Sequence, residues 1–197
     1  MAFVALMVGA LLYVARQYAD EQQTTAPVPA PSQSETLIPA GPVNVAFELN
    51  DMDGRLRDFS EWSGKHRILN FWATWCAPCR REIPLLKAFQ DEHAVVGIQV
   101  IGIAVDFPEP VVTYAESAKF NYPILVGEQD AMAVAETSGV DFIGLPFTMI
   151  VDRNGELIGT HMGEIHREQL EVVAATLDEL DRGEIDNDAA RTVLNAL

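Results

Sequence analysis

The stretch that decides the fold is NFWATWCAPCRREIPLL, residues 70 to 86, which holds both cysteines of the 197-residue chain. Its first residues complete a short apolar run, ILNFW, that predicts a strand, and the amphipathic pattern after the cysteines predicts a helix. Cys76 and Cys79 therefore fall at a strand-to-helix junction. Pro78 suits the first turn of that helix, because the N–H that proline lacks would have no partner there.

A sulfur at this junction lies at the positive end of a helix dipole, among backbone N–H groups without helical partners. Such surroundings lower the pKa of the first cysteine and raise its thiolate fraction at neutral pH. Arg80 and Arg81, one turn further on, add positive potential. The expected chemistry is disulfide exchange, in which Cys76 attacks a disulfide and Cys79 resolves the mixed disulfide.

Two other uses of the cysteine pair stay open from the sequence. A purely structural bridge across so short a loop would constrain the unfolded chain little. A metal site would need further ligands, which His161 and His166 could offer. However, 81 residues separate Cys79 from His161, against roughly 12 to 15 in a zinc finger, so the ligands would have to converge in space.

The chain as a whole is acidic, with 29 acidic against 13 basic residues and a formal net charge of -16. This charge repels phosphate backbones and argues against a nucleic-acid partner. The length and the 49% content of hydrophobic residues fit one domain with a core of ordinary size and some appended segments.

Residues 1 to 18 predict an uncleaved N-terminal membrane anchor. The segment MAFVALMVGALLYVA has no charged side chain, and as a helix it would reach about 22 Å against a hydrocarbon core of about 30 Å. A cleaved signal peptide and a buried helix of the fold are the alternatives. Residues 19 to 42 are rich in proline, alanine and small polar residues, which predicts an extended linker that holds the next domain away from the bilayer.

Alternating strand and helix patterns over residues 43 to 182 predict an α/β domain with a central mixed β-sheet flanked by helices. We expect an N-terminal β-hairpin over residues 45 to 59. A second hairpin is expected to turn at DRNG, residues 152 to 155. Residues 183 to 197 are expected to form a C-terminal tail or a short helix.

The segment around the cysteines resembles the active-site segment of thioredoxin-like proteins, and it looks most like the TlpA/ResA branch of exported, often membrane-tethered thiol:disulfide oxidoreductases. Pro84, five residues after Cys79, matches the place where the first helix of that family kinks. GLPFT, residues 144 to 148, matches a second motif of the family. The resemblance covers roughly residues 43 to 182 and implies a thioredoxin-like fold with an inserted helix-strand element at residues 107 to 138.

The resemblance also implies roles for individual residues. Cys76 would be the catalytic nucleophile and Cys79 the resolving thiol, while Glu82 would assist proton transfer or partner recognition. Glu82 also has a simpler interpretation, as an acidic residue that is favourable near the helix N-terminus. The family carries a cis-proline facing the cysteines, and Pro146 is the candidate. The residues expected to bind substrate are Trp75, Ala77, Pro78, Leu145 and Pro146.

Asn70 and Asp106 bear on the route of the proton. Asn70 stands where thioredoxin itself has a buried aspartate that serves proton transfer from the resolving thiol. Its absence moves that task to Glu82 or to water, and it argues against a general thioredoxin-like reductase activity. Asp106, which follows the strand pattern IQVIGIAV, is a second candidate acid.

From this resemblance we expect a membrane-tethered extracytoplasmic thiol:disulfide oxidoreductase that reduces protein disulfides, for example in cytochrome c maturation or metal-site assembly. It would need no cofactor besides its redox-active cysteine pair and no metal. Its partners would be protein disulfides or dithiols, a membrane thiol reductase as electron donor, and the bacterial inner membrane, with the catalytic domain in the periplasm or extracytoplasmic space. A copper-binding thioredoxin-like chaperone and a thiol peroxidase of the peroxiredoxin type are the alternatives.

Overall fold

A computed structural model describes residues 42 to 197, and the predicted anchor and nearly all of the predicted linker lie outside this range. The strands are β1 (Glu48–Asp51), β2 (Leu56–Asp58), β3 (His66–Trp72), β4 (Ile98–Val105), β5 (Ile124–Gly127), β6 (Phe147–Val151) and β7 (Leu157–Met162). The helices are α1 (Ala77–His93), α2 (Pro108–Ala118), α3 (Gln129–Thr137), α4 (Arg167–Asp181) and α5 (Asn187–Leu194). Within residues 42 to 197, no helix has the length and apolar character that crossing a bilayer requires.

The strands form one mixed sheet in the order β2-β1-β5-β4-β3-β6-β7. Strands β3, β4 and β5 run parallel, while β1 and β6 pair antiparallel with β5 and β3. Helices α1, α2, α4 and α5 contribute to the core on one face, and α3 contributes to the core on the other. The predicted α/β architecture is confirmed.

Strand β3 lies inside the sheet between β4 and β6, and every one of its residues is buried. Ile68 and Trp72 belong to the core that α1 covers, while Leu69 and Phe71 belong to the core on the opposite face. Because side chains alternate between the faces of a strand, Asn70 shares the face of Ile68 and Trp72. The polar side chain of Asn70 therefore lies beneath α1.

The N-terminal hairpin is present, but its first strand begins at Glu48, three residues later than the sequence indicates. The preceding residues pair elsewhere, since the N–H of Val45 donates to Gly155 and the N–H of Leu157 donates to Val43. These bonds attach the chain entering the domain to the turn between β6 and β7. The apolar alternation starting at Val45 therefore reflects burial rather than membership of β1.

The predicted insertion over residues 107 to 138 contains α2, β5 and α3. Strand β5 extends the parallel part of the sheet, and the N-terminal hairpin attaches to the sheet through β5. Residues 183 to 197 contain α5, whose Ala190 and Leu194 are fully buried. Helix α5 approaches β7 at Gly159, where an added Cβ would lie 2.7 Å from the Cβ of Leu194. The C-terminal residues are therefore packed against the sheet.

Candidate active site

Cys76 and Cys79 form a disulfide at the N-terminus of α1, with 5.3 Å between their Cα atoms. Cys76 is the N-cap residue, and its Sγ accepts a hydrogen bond from the backbone N–H of Cys79 at 3.3 Å. Cys79 is inaccessible to solvent, whereas Cys76 is 5% exposed. The strand-to-helix junction that the sequence predicts thus directs a backbone donor at the sulfur of the more accessible cysteine.

The residues next to Cys76 that the sequence predicts as substrate contacts reach the surface. Trp75 is 69% exposed, Ala77 is exposed and Pro78 is half-buried. Ala77 and Pro78 form the start of α1. Proline fits there because the first N–H groups of a helix have no partner within it. The disulfide is therefore bordered by apolar groups that a second protein can contact.

Pro146 has a cis peptide bond to Leu145, which confirms the expected geometry. Pro146 directly precedes β6, and the register between β3 and β6 pairs Phe71 with Phe147. This register brings Pro146 beside the end of β3, where the chain leads into the cysteine segment. Leu145 is half-buried against the core cluster that includes both cysteines, and Pro146 is buried.

Asp106, the second candidate acid, supports the loop between β3 and α1. Its Oδ2 accepts hydrogen bonds from the backbone N–H of Thr74 at 2.9 Å and from the Thr74 hydroxyl at 2.5 Å. Its Oδ1 accepts from the N–H of Phe107 at 2.8 Å. With these donors in place, the carboxylate fixes the residues that lead to Cys76, a contact that the sequence did not indicate.

The two arginines after the cysteines contribute less positive potential than the sequence suggests. Arg81 forms an ion pair with Glu164, and its side chain lies at the surface. Arg80 is also exposed. Because solvent screens exposed charges and Glu164 offsets that of Arg81, the backbone of α1 is the closer source of positive potential at Cys76.

Glu82 is buried on α1, one helical turn after Cys79, with only 2% of its surface exposed. Its Oε1 accepts from Asn70 Nδ2 at 2.7 Å, and its Oε2 accepts from the backbone N–H of Ile165 at 2.8 Å. Burial raises the pKa of Glu82 to about 7, and the two hydrogen bonds oppose this rise. The carboxyl group can therefore gain or lose a proton near neutral pH.

Asn70 joins three elements around this acid. Its Nδ2 also donates to the Thr148 hydroxyl on β6 at 3.2 Å. Sequence reasoning identified Asn70 as the position of a missing acid but did not identify Thr148 or the Ile165 amide as part of the site. A polar residue inside the otherwise apolar run ILNFW was the available signal, because such a group requires a partner when it is buried.

The histidines considered as metal ligands have other contacts. The ring nitrogens of His161 lie within hydrogen-bonding distance of the carbonyl groups of Leu197 and Glu164, and His166 is the N-cap of α4. Within residues 42 to 197, no three His, Cys, Asp or Glu side chains cluster in a way that could hold a metal ion.

A disulfide-bonded Cys-x-x-Cys pair at a helix N-terminus, a cis-proline preceding the neighbouring strand and a mixed sheet of this order together define a thioredoxin-like thiol-disulfide oxidoreductase. Comparison with known proteins gives the same class. The family model described as AhpC/TSA family matches residues 41 to 160.

The thiol-disulfide oxidoreductase ResA of Geobacillus kaustophilus (strain HTA426) is 31% identical over 138 residues, which cover 70% of this chain and 77% of that protein. The thioredoxin-like protein YneN of Bacillus subtilis (strain 168) is 29% identical over 146 residues, which cover 71% of this chain and 81% of that protein. Among solved structures, a thioredoxin-family thiol:disulfide interchange protein from Chlorobium tepidum TLS is 28% identical, with a TM-score of 0.59. The match covers 66% of this chain and 92% of that structure's chain. The chain belongs to the AhpC/TSA family and, within it, to the ResA-like thiol-disulfide oxidoreductases.

Proposed function

We propose that this chain reduces protein disulfides outside the cytoplasm, using Cys76 as the nucleophile and Cys79 as the resolving thiol. The observation that carries the proposal is the asymmetry of the pair. The Cys76 sulfur accepts a backbone hydrogen bond at the N-terminus of α1, and Cys79 is completely buried on the side of Glu82. A thiolate is stabilised at the first position, and a partner can reach that position more readily than the second.

The reaction begins from the reduced pair and moves two electrons to the substrate. The Cys76 thiolate attacks one sulfur of a substrate disulfide, so that a mixed disulfide forms and the other substrate sulfur leaves as a thiolate. The Cys79 thiol then loses its proton, and its sulfur attacks Sγ of Cys76. The bond to the substrate breaks, the substrate leaves as a dithiol after protonation, and the Cys76–Cys79 disulfide is formed.

Glu82 is the acceptor that we propose for the proton of Cys79. The two residues are three positions apart on α1, a spacing that places side chains on the same side of a helix, and both are buried. A carboxyl group with a pKa of about 7 is suited to accept and return a proton under neutral conditions. The hydrogen bonds of Asp106 to Thr74 and Phe107 leave that acid a supporting role in the loop.

Substrate binding is assigned to the apolar surface around Cys76. Exposed Trp75 and Ala77 would contact side chains of the partner, and Pro78 would limit the approach from the helix side. The backbone of Leu145 would pair with an extended segment of the substrate beside Pro146. The exposure of Trp75 and the position of Leu145 near the cysteine cluster support this assignment.

The proposed location is the outer face of a bacterial cytoplasmic membrane, with residues 1 to 18 as a single-pass anchor and residues 19 to 42 as the linker. The apolar N-terminal sequence supports this setting. A membrane thiol reductase would restore the dithiol. Candidate targets are the heme-binding cysteines of apocytochrome c and the cysteines of copper sites.

Trapping with single-cysteine variants tests the proposal. Cys79→Ser is expected to accumulate a mixed disulfide between Cys76 and a protein disulfide substrate, while Cys76→Ser, the matched control, should yield none. Adducts from Cys76→Ser alone would reverse the assigned order. Absence of adducts from both variants, with insulin left unreduced by the wild-type dithiol, would reject the activity as proposed.

The direction of electron flow and the two alternative functions need separate measurements. A reduction potential of about -250 mV or lower would support a reductant, and one near about -120 mV would contradict it. Hydrogen peroxide turnover by the reduced protein would favour a thiol peroxidase. Tight copper(I) binding in competition with chelators would favour a chaperone.

A further inference from the structure

The two carboxyl oxygens of Glu82 have different partners, which decides where a proton can reside. Oε2 accepts the backbone N–H of Ile165 at 2.8 Å. This donor belongs to the main chain and cannot reverse its role. The carbonyl oxygen of a carboxylic acid accepts hydrogen bonds better than its hydroxyl oxygen, so the protonated form of Glu82 keeps its carbonyl at Oε2 and carries its proton on Oε1.

Oε1 faces the side-chain amide of Asn70. In the present arrangement Asn70 Nδ2 donates to Oε1 at 2.7 Å, which suits an ionised carboxylate. If Oε1 carried a proton directed at Asn70, two donors would oppose each other across this short distance. A half-turn of the carboxamide exchanges Nδ2 and Oδ1 at nearly constant shape, and it would place an acceptor opposite the proton.

The other contacts of Asn70 permit this half-turn. Oδ1 is buried and has no hydrogen-bond partner among residues 42 to 197, so moving it breaks no bond within this range. The half-turn places Nδ2 at that position, and the bonds that Oδ1 gains to Glu82 and Thr148 have to offset the two that Nδ2 gives up. Nδ2 also donates to the Thr148 hydroxyl at 3.2 Å. A hydroxyl group can accept or donate, so Thr148 would accept from Nδ2 in one orientation and donate to Oδ1 in the other.

We propose that Asn70 is a positioning residue whose carboxamide rotates by a half-turn when Glu82 gains or loses its proton. Its Nδ2 donates to the carboxylate, and its Oδ1 accepts from the carboxylic acid. The inference rests on the proposed role of Glu82 as the proton acceptor for Cys79. Both protonation states of Glu82 then keep a hydrogen bond at Oε1. The acid can change its proton without moving its own side chain away from the cysteine pair.

Other ionisable groups lie around this cluster, and Glu164 is the one that acts on the pKa of Glu82. Glu164, in the segment after β7, disfavours the ionised form of Glu82, and its ion pair with Arg81 on α1 moderates this effect. Tyr122, buried before β5, is electrostatically coupled to Glu82, and its own pKa is raised mainly by burial. His161 on β7 lies opposite Thr148 in the sheet register.

Nuclear magnetic resonance of the oxidised protein tests the inference without using activity. We would follow the Glu82 carboxyl carbon and the Asn70 side-chain amide from two pH units below the Glu82 midpoint to two units above it. Both signals are expected to titrate with the same midpoint. The cross-peak between the Asn70 amide protons and the Thr148 methyl group should be present above the midpoint and lost below it.

Glu82→Gln provides a matched control, because glutamine keeps the shape of the protonated acid. Its carbonyl oxygen would accept from Ile165, so that its amide group faces Asn70. The Asn70 signals should then match the low-pH wild-type state at every pH. A cross-peak that persists through the wild-type titration, or an unaltered Asn70 signal in Glu82→Gln, would overturn the inference.

Disulfide reduction measured on the same wild-type preparation separates this inference from the proposed function. If the protein reduces insulin while its Asn70 amide stays fixed, only the proposed rotation of the amide is contradicted. If the Asn70 amide rotates when Glu82 changes protonation but the protein fails to exchange disulfides, the rotation is supported and the proposed function is contradicted.

Discussion

Asn70 on β3 and Glu82 on α1 share a 2.7 Å hydrogen bond between Nδ2 and Oε1, and both side chains are almost entirely closed to solvent. An amide cannot take a proton from a thiol, whereas a carboxylate can. This pair therefore places the acid of the site on the same helix as the cysteines. Strand β3 supplies the amide group that orients the acid.

Burial of Glu82 predicts a pH-dependent cost in stability. Its pKa rises from an ordinary value of 4.5 to about 7 in the folded protein. Between these pH values the folded state holds a proton that the unfolded chain has released, so the free energy of unfolding falls as the pH rises. The cost approaches about 3 kcal/mol above the folded midpoint.

Glu82→Gln should lack this fall, so its stability relative to the wild type should increase as the pH rises from 4.5 to about 7. Denaturant unfolding of the oxidised proteins at several pH values measures the difference. Glu92→Gln, at an exposed position on the same helix, is the control and should follow the wild type. Parallel curves for wild type and Glu82→Gln would show that Glu82 is not titrating as described.

Glu164→Gln is expected to lower the pKa of Glu82, because the Glu164 charge disfavours ionisation of its neighbour. The substitution also releases Arg81, whose positive charge acts in the same direction. We expect a shift of less than about one pH unit, measured from the carboxyl carbon of Glu82. Glu168→Gln, an exposed position in the first turn of α4, should leave that midpoint in place. An upward shift in Glu164→Gln would contradict the electrostatic assignment.

Asp106→Ala should loosen the loop that leads to Cys76. It removes the acceptor for the backbone N–H and hydroxyl of Thr74. Leaving these partly buried donors without their partner should cost about 1–3 kcal/mol in the free energy of unfolding. Disulfide exchange should also slow. Asp53→Ala, which removes an exposed carboxylate in the first hairpin, is the control. Equal effects of the two substitutions would reject the supporting role of Asp106.

Leu194→Ala tests whether α5 contributes to the stability of the domain. Leu194 is fully buried against β7, whereas Val193 beside it is 43% exposed. Truncating the buried leucine should lower the free energy of unfolding by about 2–5 kcal/mol. Val193→Ala should change it by less than about 0.5 kcal/mol. A loss of similar size in both variants would mean that α5 is held less firmly than its burial implies.

The sequence was informative where structure is determined locally. The apolar strand before Cys76, the proline after it and the helical stripe beyond it predicted β3 and α1. The cis-Pro146 expectation depended on resemblance to a family and is confirmed. The hydrogen bonds around Glu82 could not be predicted from local sequence patterns, because Asn70 and Thr148 are 78 residues apart in sequence.

The first hairpin begins later than the sequence predicts because its leading residues pair with a distant segment. Val45 alternates as a strand residue does, yet its N–H bonds to Gly155, more than a hundred residues away. The packing of Leu194 near Gly159 likewise depends on the arrangement of the whole sheet. Local patterns identify what a segment can form, while the partner that it pairs with is decided by long-range contacts.

The central claim is that the N-terminus of α1 makes Cys76 an activated thiolate. The most direct test is the alkylation rate of Cys76 in reduced Cys79→Ser, measured against pH and compared with the unfolded variant. The account predicts that the rate reaches half its maximum at a pH at least about one unit below that of the unfolded chain. Superimposable profiles would contradict it, because they would show that the fold does nothing to the ionisation of this sulfur.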